Sequence, residues 1–179
     1  PSLAVAALLA LHQLAHFCAP DVLAHRNAVL PALVALLAAP DARVQRRAAA
    51  VLAMLLAGLA PDDPLAPEDV PRIAEPLLAI AEASSSSSSS AAAGGMSATG
   101  TTARDMAFAC LASLAECAGR AFLPLVPRTL GAARAVLATA GCEDTMLARG
   151  RALETVAVLA RAVGADAFAP HLAAAVATA

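Results

Sequence analysis

Residues 33–58, LVALLAAPDARVQRRAAAVLAMLLAG, contain the clearest structural pattern of this chain. An apolar segment ends at Pro40, and Asp41 follows as a suitable N-cap for a second helix. Apolar residues then recur on one face of that helix, at Val44, Ala48, Val51, Leu52 and Leu55. The stretch therefore predicts two helices joined by a tight turn, each burying one face against the other.

The apolar stripe of the second helix recurs along the chain at spacings of 41, 59 and 45 residues. A shift of 41 places Leu11 on Leu52, and the next two shifts place Leu52 on Leu111 and Leu111 on Val156. A period of about 40 to 47 residues built from paired helices is typical of HEAT and armadillo arrays. The sequence therefore predicts an all-α, HEAT-repeat α-solenoid, a right-handed superhelix of antiparallel helix pairs.

Residues 84–102 explain the longest spacing, because they begin with seven consecutive serines and continue with Ala, Gly and Thr. Without these 19 residues the spacing of 59 falls to 40. We expect a disordered insertion, either a neutral expansion or a site of phosphorylation. It divides the HEAT repeats into 1–83 (a partial repeat, a full one and the first helix of the next) and 103–179.

The chain begins at Pro1 inside a predicted helix, so we expect it to be part of a longer protein.

Eight helices follow from the apolar periodicity and from the positions of proline and glycine. Pro31 lies inside the second of them and predicts a kink. Their predicted ranges are 2–17, 22–38, 42–58, 68–83, 103–118, 122–139, 143–163 and 166–178.

Composition argues against several classes of function. The chain is 60% hydrophobic, but alanine accounts for about half of these residues, and the longest uncharged segment contains His12, Gln13 and His16. We therefore expect no membrane insertion. A net charge of −2, with no basic block and only four phenylalanines, argues against nucleic acid binding.

No pattern of catalytic or metal-binding residues stands out. His12 and His16 have the i, i+4 spacing of a zinc pair and Cys18 follows, but neither a glutamate nor a third ligand accompanies them. The sequence has neither a G-x-S-x-G elbow nor a phosphate-binding loop. We expect no enzyme activity, metal or cofactor. The cysteines form no CxxC pair and are interpreted as buried hydrophobes at Cys18, Cys110, Cys117 and Cys142.

Three segments, 7–20, 25–56 and 146–168, resemble the importin beta superfamily, specifically its importin beta-3 (importin five) branch. The most specific of them is the third, MLARGRALETVAVLARAVGADAF. Its L-x-R-G-[KR]-x-x-E core consists of Leu147, Arg149, Gly150, Arg151 and Glu154. The resemblance extends over nearly all of the chain outside the serine tract.

This resemblance implies a nuclear transport receptor that shuttles between cytoplasm and nucleus. Its concave face would bind cargo proteins with basic import signals, and Ran-GTP would release them through repeats outside this chain. Grooves between outer helices would contact nucleoporin phenylalanine-glycine repeats. Two alternatives remain open: a static HEAT scaffold without Ran control, and a degenerate copy in which alanine has replaced larger core residues.

The second helix of each pair lines the concave face in this family. Relatives commonly carry an asparagine and acidic residues where this chain has Met54, Ala57 and Gly58. The cargo-binding residues that the resemblance implies are Gln13, Met54, Glu116, Glu154 and Arg161. We expect a structural role, as a helix cap or an inter-repeat ladder, for Asp41, Arg43, Arg46, Arg47 and Arg149.

Overall fold

The computed structural model describes residues 3–59, 65–83, 102–138 and 143–176, and within these ranges every regular element is helical. Two 3₁₀ helices, Gly119–Leu125 and Ala169–His171, join α-helices. The α-helices of the described residues are α1 (Leu3–Phe17), α2 (Ala19–Ala24), α3 (Arg26–Leu37), α4 (Ala42–Ala57), α5 (Asp69–Glu82), α6 (Ala103–Ala118), α7 (Val126–Leu137), α8 (Glu143–Val163), α9 (Ala165–Phe168) and α10 (Leu172–Val176).

The helices form two rows. We call α1, α4, α6 and α8 the inner row, because each packs against the next. We call α3, α5 and α7 the outer row, in which neighbours also touch, and each outer helix packs on the inner helix that follows it in the chain. The protein is thus an all-α HEAT-repeat solenoid of antiparallel helix pairs. The helices α5 and α6, which flank the serine-rich insertion, pack directly on each other.

The core lies between the two rows and combines a few large side chains with many alanines. Phe108 and Phe122 are completely buried, as are Ala48 and Ala115 on neighbouring inner helices. Small side chains allow helices to approach closely, so alanine contributes to the packing of this solenoid. This explains the high hydrophobic content that the composition shows.

One run of the described residues, Ala103–Leu137, is long and apolar enough by composition to cross a membrane. The run is not a single α-helix, because the 3₁₀ segment Gly119–Leu125 separates α6 from α7. Its first half, α6, packs between α4 and α8, and its apolar residues belong to the solenoid core.

The predicted helix 22–38 differs from the structure at its start and in its continuity. The turn expected before residue 22 is instead the first turn of α2, where Pro20 is favourable because its nitrogen needs no hydrogen-bond acceptor. The single helix predicted for 22–38 is divided at His25 into α2 and α3, and Pro31 lies inside α3. That prediction of one continuous helix was wrong.

Proline accounts for the other two differences. The segment predicted as α-helix from residue 122 begins as a 3₁₀ helix with Pro124 inside it, and α7 starts only at Val126. The last predicted helix is interrupted by the 3₁₀ helix Ala169–His171, which contains Pro170. Proline removes a backbone donor and disfavours an α conformation in the residue before it. The remaining helices agree with the prediction within two residues, and the serine tract lies outside the described residues.

Side-chain caps determine where two inner helices begin. The Asp41 carboxylate accepts a hydrogen bond from the Arg43 backbone N–H at 2.9 Å, at the start of α4. At the start of α6, the Thr102 hydroxyl accepts from the Asp105 backbone N–H at 3.2 Å. The Asp105 carboxylate in turn accepts from the Thr102 backbone N–H at 2.6 Å. This capping box restarts the solenoid directly after the insertion.

Candidate protein-binding surface

The inner row presents a stripe of solvent-accessible residues that repeats with the same spacing as the core. On α4 the stripe consists of Arg43, Arg47, Ala50, Met54 and Ala57. Shifts of 59 and then 45 residues give Thr102, Met106, Ala109, Ser113 and Glu116 on α6, and Leu147, Arg151, Glu154, Val158 and Arg161 on α8. None of these fifteen residues is buried, and together we call them the inner surface.

Contacts between helices show that the three stripes are in register. Glu116 on α6 and Arg161 on α8, which hold equivalent positions in the repeat, form an ion pair. Between the same helices, the buried Thr155 hydroxyl donates a hydrogen bond to the Phe108 carbonyl oxygen at 3.0 Å. On the other side of α6, the Cys117 thiol donates to the Leu56 carbonyl oxygen at 2.9 Å. The inner surface is therefore continuous across α4, α6 and α8.

Both glutamates of the inner surface are engaged by arginines. Glu116 pairs with Arg161, and Glu154 accepts from Arg151 at 2.7 Å within α8. Arg43 pairs with Asp41 at 2.9 Å, and this hydrogen bond lowers the pKa of the Asp41 carboxyl. The acceptors that a lysine-rich import signal would need are thus already bound to guanidinium groups.

The charge that remains on the inner surface is positive. Its four arginines outnumber its two glutamates, and counting the capping Asp41 leaves a net charge of about +1. Arg47 is half-buried and forms no ion pair among the described residues. The middle of the surface is apolar or small on α4 and α6, with Ala50, Met54 and Ala109, and carries Glu154 on α8.

The five residues implied as cargo contacts all lie on the inner row. Gln13 is exposed on α1, at the repeat position equivalent to Met54, which is half-buried on α4 and packs against the core. Glu116, Glu154 and Arg161 lie on α6 and α8. The structure brings Glu116 and Arg161 into direct contact, and Glu154 contacts Arg151 on its own helix.

The residues with an expected structural role lie on α4, directly before it, or on α8. Asp41 caps α4, and Arg43 binds that cap instead of a neighbouring repeat. Arg46 and Arg47 are half-buried on α4, and Arg149 is half-buried on α8.

Sequence reasoning missed the main ion-pair network of the outer row. Arg128 on α7 donates to Glu82 at 2.7 Å and to Glu75 at 2.5 Å, both on α5. The hydrogen bond with Arg128 lowers the pKa of the Glu82 carboxyl. The seven-residue spacing of Glu75 and Glu82 places both on one helix face, but nothing in the sequence identifies their distant partner.

A groove also lies between the outer helices α3 and α5. Its volume is about 390 Å³, within the range of small ligand sites. Its apolar lining includes Leu30, Pro31, Val34 and Ile73, and its polar rim includes Arg26, Asn27, Asp69 and Arg72.

The described residues contain no group of three His, Cys, Asp or Glu side chains that could hold a metal ion. Burial raises the pKa of the Cys110 thiol, and burial followed by the nearby Glu116 raises that of Cys117. Neither thiol is therefore activated as a nucleophile. Cys142 lies outside the described residues.

No protein family profile matches this sequence, and no curated protein matches it. The structure is similar to the crystal structure of Kap121p, with a TM-score of 0.70 and 20% sequence identity. The alignment covers 93% of this chain and 14% of Kap121p. At this identity the similarity shows a shared fold, the HEAT solenoid.

Proposed function

We propose that this chain is a segment of a nuclear transport receptor of the importin beta superfamily, in its importin beta-3 branch, and that its inner surface binds cargo. The observation that carries the proposal is the continuous, in-register inner surface of a solenoid that shares its fold with Kap121p, an importin beta family protein. A surface spread over α4, α6 and α8 distributes binding energy over several repeats. Small rotations between repeats then adjust it to different partners. This function requires no catalytic residue, metal or cofactor.

Control by Ran-GTP and shuttling between cytoplasm and nucleus belong to the same proposal. Because the Ran-binding repeats of the family lie outside this chain, the GTPase would act on cargo through the rest of the superhelix. A repeat array transmits such a change, since each repeat contacts only its neighbours and small rotations add up.

The outer groove supports a second part of the proposal, contact with nucleoporin phenylalanine-glycine repeats. A phenyl ring inserted between α3 and α5 would pack against Leu30, Val34 and Ile73. Val34→Asp places a charge on the apolar side of this groove, whereas Ala32→Asp places it on α3 at an exposed residue outside the groove lining. We expect only Val34→Asp to reduce retention on phenylalanine-glycine beads.

The deciding experiment measures binding of the full-length protein to Ran loaded with GTP and, separately, with GDP, in the presence of a bound cargo. A transport receptor binds the GTP form selectively and releases the cargo. A static HEAT scaffold, the alternative function, would bind neither form and keep its partner. That result would refute the transport proposal while leaving the solenoid fold intact.

A further inference from the structure

We infer that Arg128 is a clamp that closes the groove between α5 and α7. Of the two grooves between the described outer helices, the α3–α5 groove then admits an aromatic side chain and the α5–α7 groove does not. This inference rests on the proposed function in one respect, that the ligand is a phenylalanine-glycine repeat. The closure itself is argued from contacts and burial.

The three outer helices can be compared position by position, because their burial patterns agree. A shift of 44 residues places every buried or half-buried residue of α3 on a buried residue of α5, for example Leu33 on Leu77. A further shift of 56 residues places Leu77 on Ala133 of α7, which is also buried. With these shifts Arg72 of α5 is equivalent to Arg128 of α7.

The clamp consists of three hydrogen bonds from one guanidinium group on α7 to two carboxylates on α5. Arg128 donates to both oxygens of Glu82, at 2.7 and 2.9 Å, and to Glu75 at 2.5 Å. The two glutamates lie seven residues apart, which is about two turns along the same helix face. The planar guanidinium group suits such a bidentate arrangement. These bonds join α5 and α7 along the line between the two helices.

The α3–α5 groove lacks this clamp because α3 contains no Asp or Glu. Pro31 and Ala38 stand at the positions equivalent to Glu75 and Glu82. Arg72 therefore pairs with Asp69 on its own helix at 3.1 Å. Its side chain is 71% exposed, whereas that of Arg128 is 40% exposed. The groove of about 390 Å³ lies beside this unclamped arginine.

The floor of the two grooves differs in the same way. Leu30 and Val34 are half-buried and line the α3–α5 groove. Their equivalents on α5, Ala74 and Leu78, are completely buried. Alanine is smaller than leucine, so Ala74 would leave a wider groove than Leu30 if the helices were equally open. Its complete burial indicates that the α5–α7 groove is closed.

The clamp is suited to local opening because its members remain in contact with solvent. Glu75 and Glu82 are 55% and 38% exposed, and exposed ion pairs contribute little to global stability. The core residues of α5 and α7 are buried independently of these charges. Loss of the clamp should therefore open the groove while the chain stays folded.

The test measures the accessibility of two equivalent floor positions with introduced cysteines, Leu30→Cys and Ala74→Cys. Each full chain is labelled with iodoacetamide, and peptide mass spectrometry distinguishes the introduced cysteine from the native ones. We expect Leu30→Cys to react at least about tenfold faster than Ala74→Cys. Adding Arg128→Ala should raise the rate at Ala74→Cys at least about fivefold. Equal rates at the two positions of the otherwise unchanged chain would overturn the inference.

Two further variants separate loss of the clamp from loss of an arginine. Glu75→Ala with Glu82→Ala removes the clamp from α5 and should also expose Ala74→Cys. The matched control is Arg134→Ala, which removes an exposed arginine from α7 that donates to the Ala174 carbonyl oxygen at 3.1 Å. We expect it to change the rate by less than about twofold. Circular dichroism verifies folding, and unchanged labelling in both clamp variants would refute the inference.

The reciprocal experiment transfers the clamp to the α3–α5 groove. Pro31→Glu with Ala38→Glu places two carboxylates on α3 within the same register relative to Arg72. We expect labelling at Leu30→Cys to slow about fivefold, and Arg72→Ala in this background to restore it. Slowing that persists without Arg72 would show that the added side chains act by themselves, and would contradict the clamp.

Peptide binding then shows which groove is occupied. A phenylalanine-glycine peptide at ~1 mM is added to the methyl-labelled full chain, and methyl NMR shifts are recorded. We expect shifts at Leu30 and Val34 in the parent, and at Leu78 as well in Arg128→Ala. Equal shifts at Val34 and Leu78 in the parent would show that the α5–α7 groove is already open and would refute the inference.

The inference and the proposed function can fail separately. Clamp-dependent labelling of Ala74→Cys without any peptide-induced shift would support the closure and remove the phenylalanine-glycine part of the proposed function. Peptide binding in the α3–α5 groove with labelling that ignores Arg128 would support that part of the function and remove the clamp.

Discussion

Replacement of Phe108 by alanine should destabilise the solenoid strongly, because this side chain lies at the centre of its packing. Phe108 is completely buried on α6, the inner helix that contacts α4, α5 and α8. Removing its ring therefore affects two neighbouring repeats, and the capping box at Thr102 leaves the start of α6 fixed. The cavity cannot close easily, because both sides of α6 are held by packed helices.

The expected loss in the free energy of unfolding follows from the apolar surface that Phe108 buries. A phenylalanine buries ~150–250 Å² and alanine retains part of this, so the variant loses roughly 100–150 Å² of buried apolar surface. At about 25 cal/mol per Å² this is ~3 kcal/mol, and the unfilled cavity adds to it, giving ~3–5 kcal/mol in total. Domains of this kind have only ~5–15 kcal/mol of stability, so the midpoint of unfolding should shift substantially.

The assay is urea unfolding followed by circular dichroism at 222 nm, which suits an all-helical chain that has neither tryptophan nor tyrosine. The matched control is Phe17→Ala at the end of α1, where the side chain is 75% exposed. It should change the free energy of unfolding by less than ~0.5 kcal/mol. Similar losses for Phe108→Ala and Phe17→Ala would refute the proposed placement of α6 between its neighbours.

Three further predictions concern the outer row, the glycines and the thiols. Arg128→Gln should cost ~0.5–1.5 kcal/mol after allowance for solvent screening. Arg128 lowers the pKa of Glu82 in the folded state, so the stability that this ion pair contributes is complete above pH 4.5, the ordinary pKa of the carboxyl group. It is lost as the pH falls through the lowered pKa. The free energies of unfolding in urea of parent and variant should therefore converge in acid. Gly131→Ala, inside α7 with nothing near the added methyl group, should stabilise the protein by ~0.5–1 kcal/mol. Gly119→Ala should destabilise it by ~1–2 kcal/mol, because Gly119 has a φ of +52°. Equal shifts in the melting temperatures of the two variants would contradict this. Cys110, fully buried with a raised pKa, should react with iodoacetamide only on global unfolding, and labelling of the native protein at that peptide would show that the packing is wrong.

The fold could be predicted because its signal is a repeat. The stripe that contains Leu52 recurs at Leu111, and both are fully buried in the inner row. Helix boundaries were less accurate where proline acts on the backbone, as at Pro124 and Pro170, because the choice between α and 3₁₀ geometry depends on neighbouring packing.

Side-chain partners could be predicted only within a helix. The Asp41 cap follows from local sequence, since its acceptor and donor are two residues apart. The pairing of Glu116 with Arg161 depends on the register between α6 and α8, which the spacing of 45 residues specifies once the fold is known. The sequence did not indicate the partners of Arg128, because they lie on the far side of the serine-rich insertion.

Hydrogen–deuterium exchange of the full-length protein, with and without bound cargo, measures directly whether the inner surface binds cargo. We expect protection in the segments that carry Arg47, Met54, Ser113 and Glu154 on the inner row, reversed when Ran-GTP is added, with little change in α3 and α5. Cargo-dependent protection confined to the outer groove, with the inner surface unchanged, would contradict it.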